Sequence, residues 1–189
     1  MKSVYMTDKD RQKWNSRYND DTKANAPTDN VIKYHDRVTP GPALDIACGN
    51  GRNSIFLAKK GFTVDAVDIS NIATDRLKDR HADINTLCMD LDTWEIPRDH
   101  FQLIINVRFL DRRLFPQMQE GLKKGGLLIF ESFLEGTDDE GQPHHRSYLL
   151  RKNELLHAFL NLHILFYEER KECHNYQNSL MATLVARKN

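Results

Sequence analysis

The sequence predicts an α/β fold with a mostly parallel sheet, and three observations lead to that prediction. Short apolar runs alternate along the chain with stretches of helical periodicity, which is the order of βαβ units. A glycine-rich turn directly follows the first apolar run and precedes a helix-like segment. The run Phe101–Val107 is almost continuously apolar, as expected for a strand buried on both faces of a parallel sheet.

Length and composition set the first limits on function. With 189 residues, the chain is long enough for one domain with a sizeable core. Lys and Arg total 27, as do Asp and Glu, so the charge balance gives no reason to expect a nucleic-acid partner. No apolar run reaches the roughly 20 residues of a membrane span, and residues 1–8 lack the apolar core of a secretory leader. Three cysteines without a C-x-x-C pair are typical of free thiols, so we expect a cytoplasmic protein.

The segment before the first strand is predicted to be helical. Residues 7–18 are expected to form a polar helix that carries Trp14 and Tyr18 one turn apart. A second helix is predicted over residues 28–38 because its apolar positions recur at helical spacing. Two interpretations of the aromatic pair stay open: packing against the edge of the sheet, or covering a bound ligand.

The glycine-rich turn Cys48-Gly49-Asn50-Gly51 follows a predicted strand that begins at Ala43. Gly49 and Gly51 can adopt positive φ angles, and without a Cβ they leave the backbone accessible to a ligand. The turn is therefore a candidate cofactor site.

The helix after this turn is predicted from Asn53 to Lys60, with Gly61 just past its end. Its N-terminus offers unpaired N–H groups and the positive end of the helix dipole. A nicotinamide-binding fingerprint would need a third glycine, and Ser54 holds that position instead. The sequence thus argues against a dinucleotide as the ligand.

An acidic residue ends the next predicted strand, Phe62–Val67. This residue, Asp68, lies 19 residues after Gly49, close to the ~20-residue spacing between a glycine loop and a ribose-binding acid. A carboxylate at this position can accept hydrogen bonds from both ribose hydroxyls. The alternative role is an N-cap for a helix predicted at 71–80, but Ser70 already supplies that cap. We therefore interpret Asp68 as a ribose ligand.

The rest of the chain continues the alternation and ends in two strands. A turn at 122–126 precedes the fifth strand, and Pro116 marks an early turn or a kink in the helix before it. The polar stretch at 134–148 is expected to form a lid over the carboxyl edge of the sheet. In order, the remaining predicted elements are strands at 84–89 and 101–107, a helix at 111–121, a strand at 127–133, a helix at 153–160 and strands at 163–168 and 180–187.

The residues around the glycine turn carry a specific resemblance. Residues 44–53 read LDIACGNGRN, and residues 61–70 read GFTVDAVDIS. This resembles motif I of class I S-adenosylmethionine-dependent methyltransferases and, in its longer form, the tellurite-resistance (TehB-like) methyltransferase family. Residues 14–18, WNSRY, are similar to the W-x-x-R-Y opening of that family, which folds over the cofactor, where Trp14 or Tyr18 would turn a ring face to the sulfonium. The resemblance is tight from 43 to 70, looser to 133 and weaker beyond.

The resemblance implies a Rossmann-like three-layer sandwich with a seven-stranded, mostly parallel sheet and an antiparallel last strand. It implies a single methyltransferase domain over 1–189, with a helical cap at 1–40, a cofactor-binding core at 43–133 and a lid and closing hairpin at 134–189. S-adenosyl-L-methionine is the implied cofactor. The candidate cofactor-binding residues are Trp14, Tyr18, Asp45, Ala47, Gly49, Gly51, Arg52, Asn53, Asp68, Ile69, Met89, Asp90, Leu91 and Asn106.

Two of these assignments have alternatives. The resemblance implies that Asp90 accepts a hydrogen bond from the adenine amino group while Met89 or Leu91 packs on the ring, and Asp92 is the rival for the first role. Arg52 either pairs with an acid or reaches the cofactor carboxylate.

Catalytic groups are harder to assign because the sequence contains no strong acid–base constellation. It has no G-x-S-x-G turn and no pair of histidines at metal-ligand spacing, so we predict no metal site. The candidates are Arg108, at the end of the 101–107 strand, and His145 and Arg146, which follow His144 in the polar stretch. Guanidinium and imidazole groups can clamp an anion. The alternative is an ion pair for Arg108 and an ordinary solvated loop for the others.

The main hypothesis is methyl transfer from S-adenosylmethionine to a small acceptor, such as a chalcogen oxyanion or a thiol, by a monomer or homodimer. A soft nucleophile such as a thiolate, selenite or tellurite needs no general base, whereas an amine or a phenol does. The alternatives are a small-molecule O- or N-methyltransferase and a non-catalytic cofactor-binding protein, with a nicotinamide dehydrogenase as a more distant option.

Overall fold

The computed structural model describes residues 8–20, 26–136, 146–171 and 179–189, and helices alternate with strands through most of them. The chain forms two compact units, Met1–Ile96 and Pro97–Asn189. The arrangement into one domain with cap, core and lid stays a prediction.

The first unit has a sheet of parallel strands. Strand β1 pairs with β2, and β2 pairs with β3, so that the carboxyl ends of all three strands lie at one edge. At that edge Ile46 is opposite Val67, and Asp68 is opposite Cys88. The elements of this unit are α1 (Asp8–Asp20), α2 (Asp29–Tyr34), β1 (Pro42–Ile46), α3 (Arg52–Lys59), β2 (Thr63–Asp68), α4 (Asn71–Leu77) and β3 (Ile84–Cys88).

The second unit has a mixed sheet. Strand β4 is parallel to β5, whereas β7 is antiparallel to both β5 and β6, which confirms the predicted closing hairpin. Its core includes an aromatic cluster. The ring centroid of Phe130 in β5 lies 5.6 Å from that of Phe115 in α5 and 6.0 Å from that of Phe159. The elements are β4 (Phe101–Val107), α5 (Leu114–Gly121), β5 (Leu122–Phe133), α6 (Glu154–Ala158), β6 (His163–Lys171) and β7 (Leu180–Arg187).

The strand order along the sheet is β3-β2-β1-β4-β5-β7-β6. The fold class is therefore the predicted one: a Rossmann-like α/β fold with seven strands, mostly parallel, whose last strand is antiparallel.

Several element boundaries differ from the predictions: α4 ends at Leu77 and not at 80, and β6 continues to Lys171 and not to 168. Three others differ for a visible local reason. Strand β5 begins at Leu122 because Leu122 pairs with Phe101, and the predicted turn is a bulge within the strand around Gly125, whose φ is +79°. Helix α5 begins three residues later than predicted, after a turn in which the Asp111 carboxylate accepts the Arg113 N–H. Helix α2 tightens into a 3₁₀ turn after Tyr34.

The end of helix α3 shows why Gly61 lies where it does. Gly61 has a φ of +88°, its N–H donates to the Ala58 carbonyl, and the Phe62 N–H reaches back to the Leu57 carbonyl at 3.1 Å. This pair of hydrogen bonds is a Schellman motif, in which the residue after the helix adopts the left-handed conformation. The prediction that Gly61 ends this helix is confirmed.

We expect Gly61→Ala to lower the free energy of unfolding by about 1–2 kcal/mol, because a Cβ is strained in the left-handed region. A Cβ at this position would have its nearest neighbour at 3.6 Å, so backbone strain and not a clash is the cause. Urea unfolding measures the effect. Gly61→Asn is the matched control, since Asn tolerates this conformation better, and an equal loss in both variants would contradict the explanation.

Candidate functional site

The loop after β1 is built from left-handed residues. Ala47, Gly49 and Gly51 have φ angles of +54°, +55° and +72°. The Gly51 N–H donates to the Cys48 carbonyl at 3.0 Å and closes the turn, and the Ile55 N–H then donates to the Gly51 carbonyl as helix α3 begins. The predicted positive φ angles of the two glycines are confirmed. At Ala47 the same conformation is strained, and such strain is concentrated at functional sites.

Both loop glycines are tightly covered by other parts of the first unit. A Cβ at Gly49 would lie 2.6 Å from the Tyr18 hydroxyl, and a Cβ at Gly51 would lie 2.3 Å from the Leu77 side chain. A side chain at either position would force Tyr18 or Leu77 to move, in addition to the strain of the positive φ angle. The cover over Gly49 differs from the expectation of a backbone left open to a ligand, because a side chain of α1 occupies that space.

Asp68 is bound to the glycine loop. One carboxylate oxygen accepts the Gly49 N–H at 2.8 Å and the other accepts the Ser70 N–H at 2.9 Å, while only 4% of the residue is exposed. Burial raises the pKa of Asp68 above its ordinary value, and these backbone N–H groups partly offset the rise. The side chain thus joins the carboxyl end of β2 to the turn after β1. Ile69, the next candidate, is buried beside it.

A second buried acid lies at the carboxyl end of β1. Asp45 is 2% exposed and accepts a hydrogen bond from the Ser54 hydroxyl at 2.6 Å. Burial raises the pKa of Asp45 to about 7, against the lowering effects of the Ser54 hydrogen bond and the Arg52 charge. Ser54, which breaks the nicotinamide fingerprint, is therefore the partner of this acid.

The start of α3 holds the start of α2. The Asn53 side-chain oxygen accepts the Thr28 N–H at 2.9 Å, and the Arg52 guanidinium donates to the Ala26 carbonyl at 3.3 Å. Both side chains were predicted to bind the cofactor, and in the structure each of these contacts positions the chain before α2. The Thr28 hydroxyl is buried and has no hydrogen-bond partner within the described ranges, a feature that the sequence gave no reason to notice.

Helix α1 brings the aromatic pair to this site. The Trp14 and Tyr18 rings are stacked with centroids 5.9 Å apart, and the Arg17 guanidinium lies 5.3 Å from the Trp14 ring centre. Tyr18 is the member of the pair that reaches the loop, over Gly49. The cover that the structure shows is over the glycine loop itself, and a role for this pair in covering a ligand stays a prediction.

The carboxyl end of β3 separates the three adenine candidates. Met89 is 41% exposed, whereas Leu91 is 3% exposed, so the thioether of Met89 is the surface available to a ring. Asp90 is half-buried, and one of its carboxylate oxygens accepts the Asp92 N–H at 2.9 Å. Asp90 thus shapes this turn, and its rival Asp92 donates a backbone N–H to it.

In the second unit, Asn106 and Arg108 lie at the carboxyl end of β4. Asn106 is fully buried, its amide donates to the Phe109 carbonyl at 2.8 Å, and its side-chain oxygen has no partner within the residues described. Arg108 has a φ of +60°, and its N–H donates to the carbonyl of Glu131 at 2.7 Å. Glu131, which the sequence analysis missed, is 2% exposed, and its side chain lies 3.4 Å from the Thr183 hydroxyl.

The other two catalytic candidates cannot be placed in a site. His145, with His144, lies outside the described residues, and Arg146 begins a 3₁₀ turn, Arg146–Tyr148, without a described side chain. Among the residues that are described, no group of three or more His, Cys, Asp or Glu side chains is arranged to hold a metal ion. Nor does the described part contain a helix with the length and apolar character needed to cross a bilayer.

Comparison with known proteins identifies the family. The family model described as "Tellurite resistance protein TehB" matches residues 6–179, most of the chain. The chain belongs to the TehB family. The matched range contains the glycine loop, Asp68, Arg108 and every other candidate residue, so the resemblance is confirmed.

Individual relatives of the TehB family agree with this assignment. A Haemophilus influenzae (strain 10810) protein named "Probable S-adenosyl-L-methionine-dependent methyltransferase TehB" is 28% identical over 168 residues, which cover 80% of this chain and 58% of that protein. The chain therefore spans less than two thirds of the length of this relative. The crystal structure of TehB from Haemophilus influenzae matches with a TM-score of 0.76 and 25% identity, covering 95% of this chain and 67% of that one.

A more distant structure shares the fold alone. It is a geranyl diphosphate C-methyltransferase from Streptomyces coelicolor A3(2), solved with Mg²⁺, geranyl diphosphate and S-adenosyl-L-homocysteine. The TM-score is 0.68 at 12% identity, and the match covers 85% of this chain and 80% of that one.

The buried acid of β1 predicts how stability changes with pH. Asp45 holds its proton in the folded state up to a pKa of about 7 but loses it near 3.8 when unfolded, so its contribution is fully present below pH 3.8 and is lost as the pH rises through 7. We expect the free energy of unfolding to fall by about 2–3 kcal/mol between pH 5 and pH 7 from this group. Urea unfolding at each pH measures the slope. In Asp45→Asn the fall in the free energy of unfolding between pH 5 and pH 7 should be smaller by this amount. An equal fall in the two proteins would contradict the assignment.

Proposed function

We propose that this chain transfers a methyl group from S-adenosylmethionine to a small acceptor, with the cofactor held by the first unit. One observation carries the proposal: the Asp68 carboxylate is fixed by the Gly49 N–H at 2.8 Å, at the turn after the first strand. Membership of the TehB family and the names of its relatives support the same activity.

The residues present fit such a cofactor. An ionised carboxylate has about four acceptor sites, so Asp68 keeps acceptor capacity for a ribose hydroxyl in addition to the backbone N–H groups it already binds. The buried Thr28 hydroxyl, unpaired in the described part of the chain, is available for the amino-acid end of the cofactor. Met89 offers an exposed thioether to the adenine ring, where sulfur and aromatic surfaces attract each other.

The chain's own contribution to the reaction is binding and orientation. When bound, the cofactor would supply a methyl group on a positively charged sulfur: the acceptor would form a bond to the methyl carbon while the carbon–sulfur bond breaks and the neutral thioether leaves. Holding donor and acceptor in line provides much of the rate enhancement, because orientation replaces a bimolecular encounter. The Asp68 carboxylate lies at the carboxyl end of β2, next to the turn after β1, where negative charge favours a cation.

For the acceptor, we propose a chalcogen oxyanion or a thiol in a cytoplasmic enzyme. Arg108 is the candidate that would bind an anionic acceptor, since a guanidinium pairs well with oxyanions. Its left-handed backbone at the end of β4 is the kind of local strain found at functional positions. Asn106, whose buried side-chain oxygen lacks a partner among the described residues, is a second polar group on the same strand end.

Labelled methyl transfer tests the activity directly. The full chain is incubated with methyl-labelled S-adenosylmethionine and, in separate arms, tellurite, selenite, a small thiol, an amine and a phenol. Labelled product in at least one of the first three arms is expected. Product in the amine or phenol arm alone would replace the acceptor class, whereas binding of S-adenosylhomocysteine without any product would indicate a non-catalytic binding protein. If calorimetry shows binding of NAD but not of S-adenosylhomocysteine, the proposed cofactor is wrong.

We expect Asp68→Ala to weaken S-adenosylhomocysteine binding by about 1–3 kcal/mol, because the ribose hydroxyls and the Gly49 N–H lose their acceptor. Isothermal titration calorimetry measures the affinity. Asp65→Ala is the matched control: it removes an acid from the same strand, one that binds Asn85 instead. Equal affinity in the two variants would remove Asp68 from the site.

Arg108→Ala should lower the turnover number more than the cofactor affinity. A lost charge-assisted hydrogen bond corresponds to about a 10- to 100-fold fall in rate, while the affinity for S-adenosylhomocysteine stays near that of the parent protein. Steady-state kinetics and calorimetry provide the two values. Arg113→Ala, an exposed arginine paired with Asp111, is the control and should change neither. Parent-like turnover in Arg108→Ala would make Arg108 structural.

A further inference from the structure

We propose that Asn15 is a latch that holds helix α1 on the glycine loop, and that the cofactor enters and leaves when this latch opens. The proposal rests on the proposed function, since it names the cofactor whose exchange the latch controls. Asn15 belongs to the W-x-x-R-Y stretch but was assigned no role there. In the structure its side-chain amide uses both of its ends to bind the start of helix α4.

The side-chain amide of Asn15 accepts one hydrogen bond and donates another. Its side-chain oxygen accepts the Ser70 hydroxyl at 2.7 Å, and its NH₂ group donates to the side-chain oxygen of Asn71 at 2.8 Å. Ser70 and Asn71 are the cap and the first residue of helix α4. One amide thus bridges two consecutive residues that lie more than fifty positions away in the sequence.

Ser70, which donates a hydrogen bond to Asn15, also orients Asp68, the candidate ribose ligand. The Ser70 N–H donates to the Asp68 carboxylate at 2.9 Å, and the Ser70 oxygen accepts the Ala73 N–H at 3.2 Å as the helix cap. The position of α1 is therefore linked through Ser70 to the carboxylate that binds Gly49.

Closing the latch covers the loop. When Asn15 makes these hydrogen bonds, the Tyr18 hydroxyl lies directly over the loop backbone. A Cβ added to Gly49 would be only 2.6 Å from this hydroxyl. The Arg76 guanidinium donates to the Tyr18 carbonyl and secures the C-terminal part of the helix to α4. A ligand that presses against the Gly49 backbone therefore requires Tyr18 to move first.

Helix α1 can undock from the first unit at a low cost in free energy. None of residues 8–19 is fully buried: Asp10, Arg11, Trp14, Asn15 and Tyr18 are half-buried, and the others are exposed. A helix of 13 residues is marginal without tertiary contacts, so a few hydrogen bonds decide whether it stays docked. Polar contacts of this kind open far more readily than a packed core.

The test combines a ligand-free measurement with cofactor kinetics. Asn15→Leu removes both hydrogen bonds while keeping the side-chain size and a high helix propensity, so faster exchange does not reflect a weaker helix. Asn15→Asp is the rescue variant, because its carboxylate still accepts from Ser70 and the Asn71 amide can turn to donate to it. Asn85→Ala removes an exposed amide that binds Asp65 and serves as the matched control.

Hydrogen exchange of the residue 8–20 backbone, measured by mass spectrometry without ligand, should be about 5- to 10-fold faster in Asn15→Leu than in the parent protein. Asn15→Asp and Asn85→Ala should stay near the parent rate. Unchanged exchange in Asn15→Leu would overturn the latch, whatever the protein binds.

Stopped-flow mixing with S-adenosylhomocysteine tests the second half of the proposal. In a Trp94→Phe background, Trp14 is the remaining tryptophan and reports on α1. Asn15→Leu should raise the association and dissociation rates together by about 5- to 10-fold, leaving the equilibrium affinity within about threefold. A rise in the dissociation rate alone would mean that Asn15 supports a ligand contact, and unchanged rates would mean that α1 does not gate the site; either overturns the gate. Absence of binding by the parent protein would instead overturn the proposed function, and the gate with it.

Discussion

The hydrogen bond from the Gly49 N–H to the Asp68 carboxylate is the contact on which the rest of the first unit depends. It joins the turn after β1 to the end of β2, and it satisfies a carboxylate that is only 4% exposed. A buried charge without partners is costly, so the left-handed turn, the capping Ser70 and helix α4 have to be arranged around it. The geometry that meets this electrostatic demand also leaves acceptor sites free at the edge of the sheet.

A second acid adds to the same constraint. Asp45 and Asp68 end neighbouring parallel strands, and the charge on Asp68 helps to raise the pKa of Asp45, after burial itself. The structure moderates this repulsion with the Ser54 hydroxyl and the Arg52 charge but does not remove it. The left-handed Ala47 lies between these acids and the glycine turn. Charge and backbone strain are therefore concentrated in this loop, as is common at functional positions.

The candidate functional residues divide unevenly between the two units. All the candidate cofactor-binding residues except Asn106 lie in the first unit, whereas Asn106, Arg108 and Glu131 lie near the carboxyl ends of β4 and β5 in the second. Membership of the TehB family and the shared fold do not name the acceptor, because one fold supports many substrates.

The sequence by itself determined the elements that follow from local pattern. The alternation of strands and helices, the left-handed glycines, the Gly61 helix end and the Ser70 cap all depend on residues within a few positions of one another. The spacing from Gly49 to Asp68 was readable because a βαβ unit has a nearly constant length.

Only the tertiary structure decided which distant side chains meet. Ser54 as the partner of Asp45, Asn53 as the anchor of Thr28, and Asn15 as the bridge to Ser70 involve separations of 9, 25 and 55 residues. The same holds for Tyr18, whose position over Gly49 depends on how one helix docks on another. No local periodicity encodes such pairs, because each is chosen by three-dimensional proximity and by the need of a buried polar group for a partner.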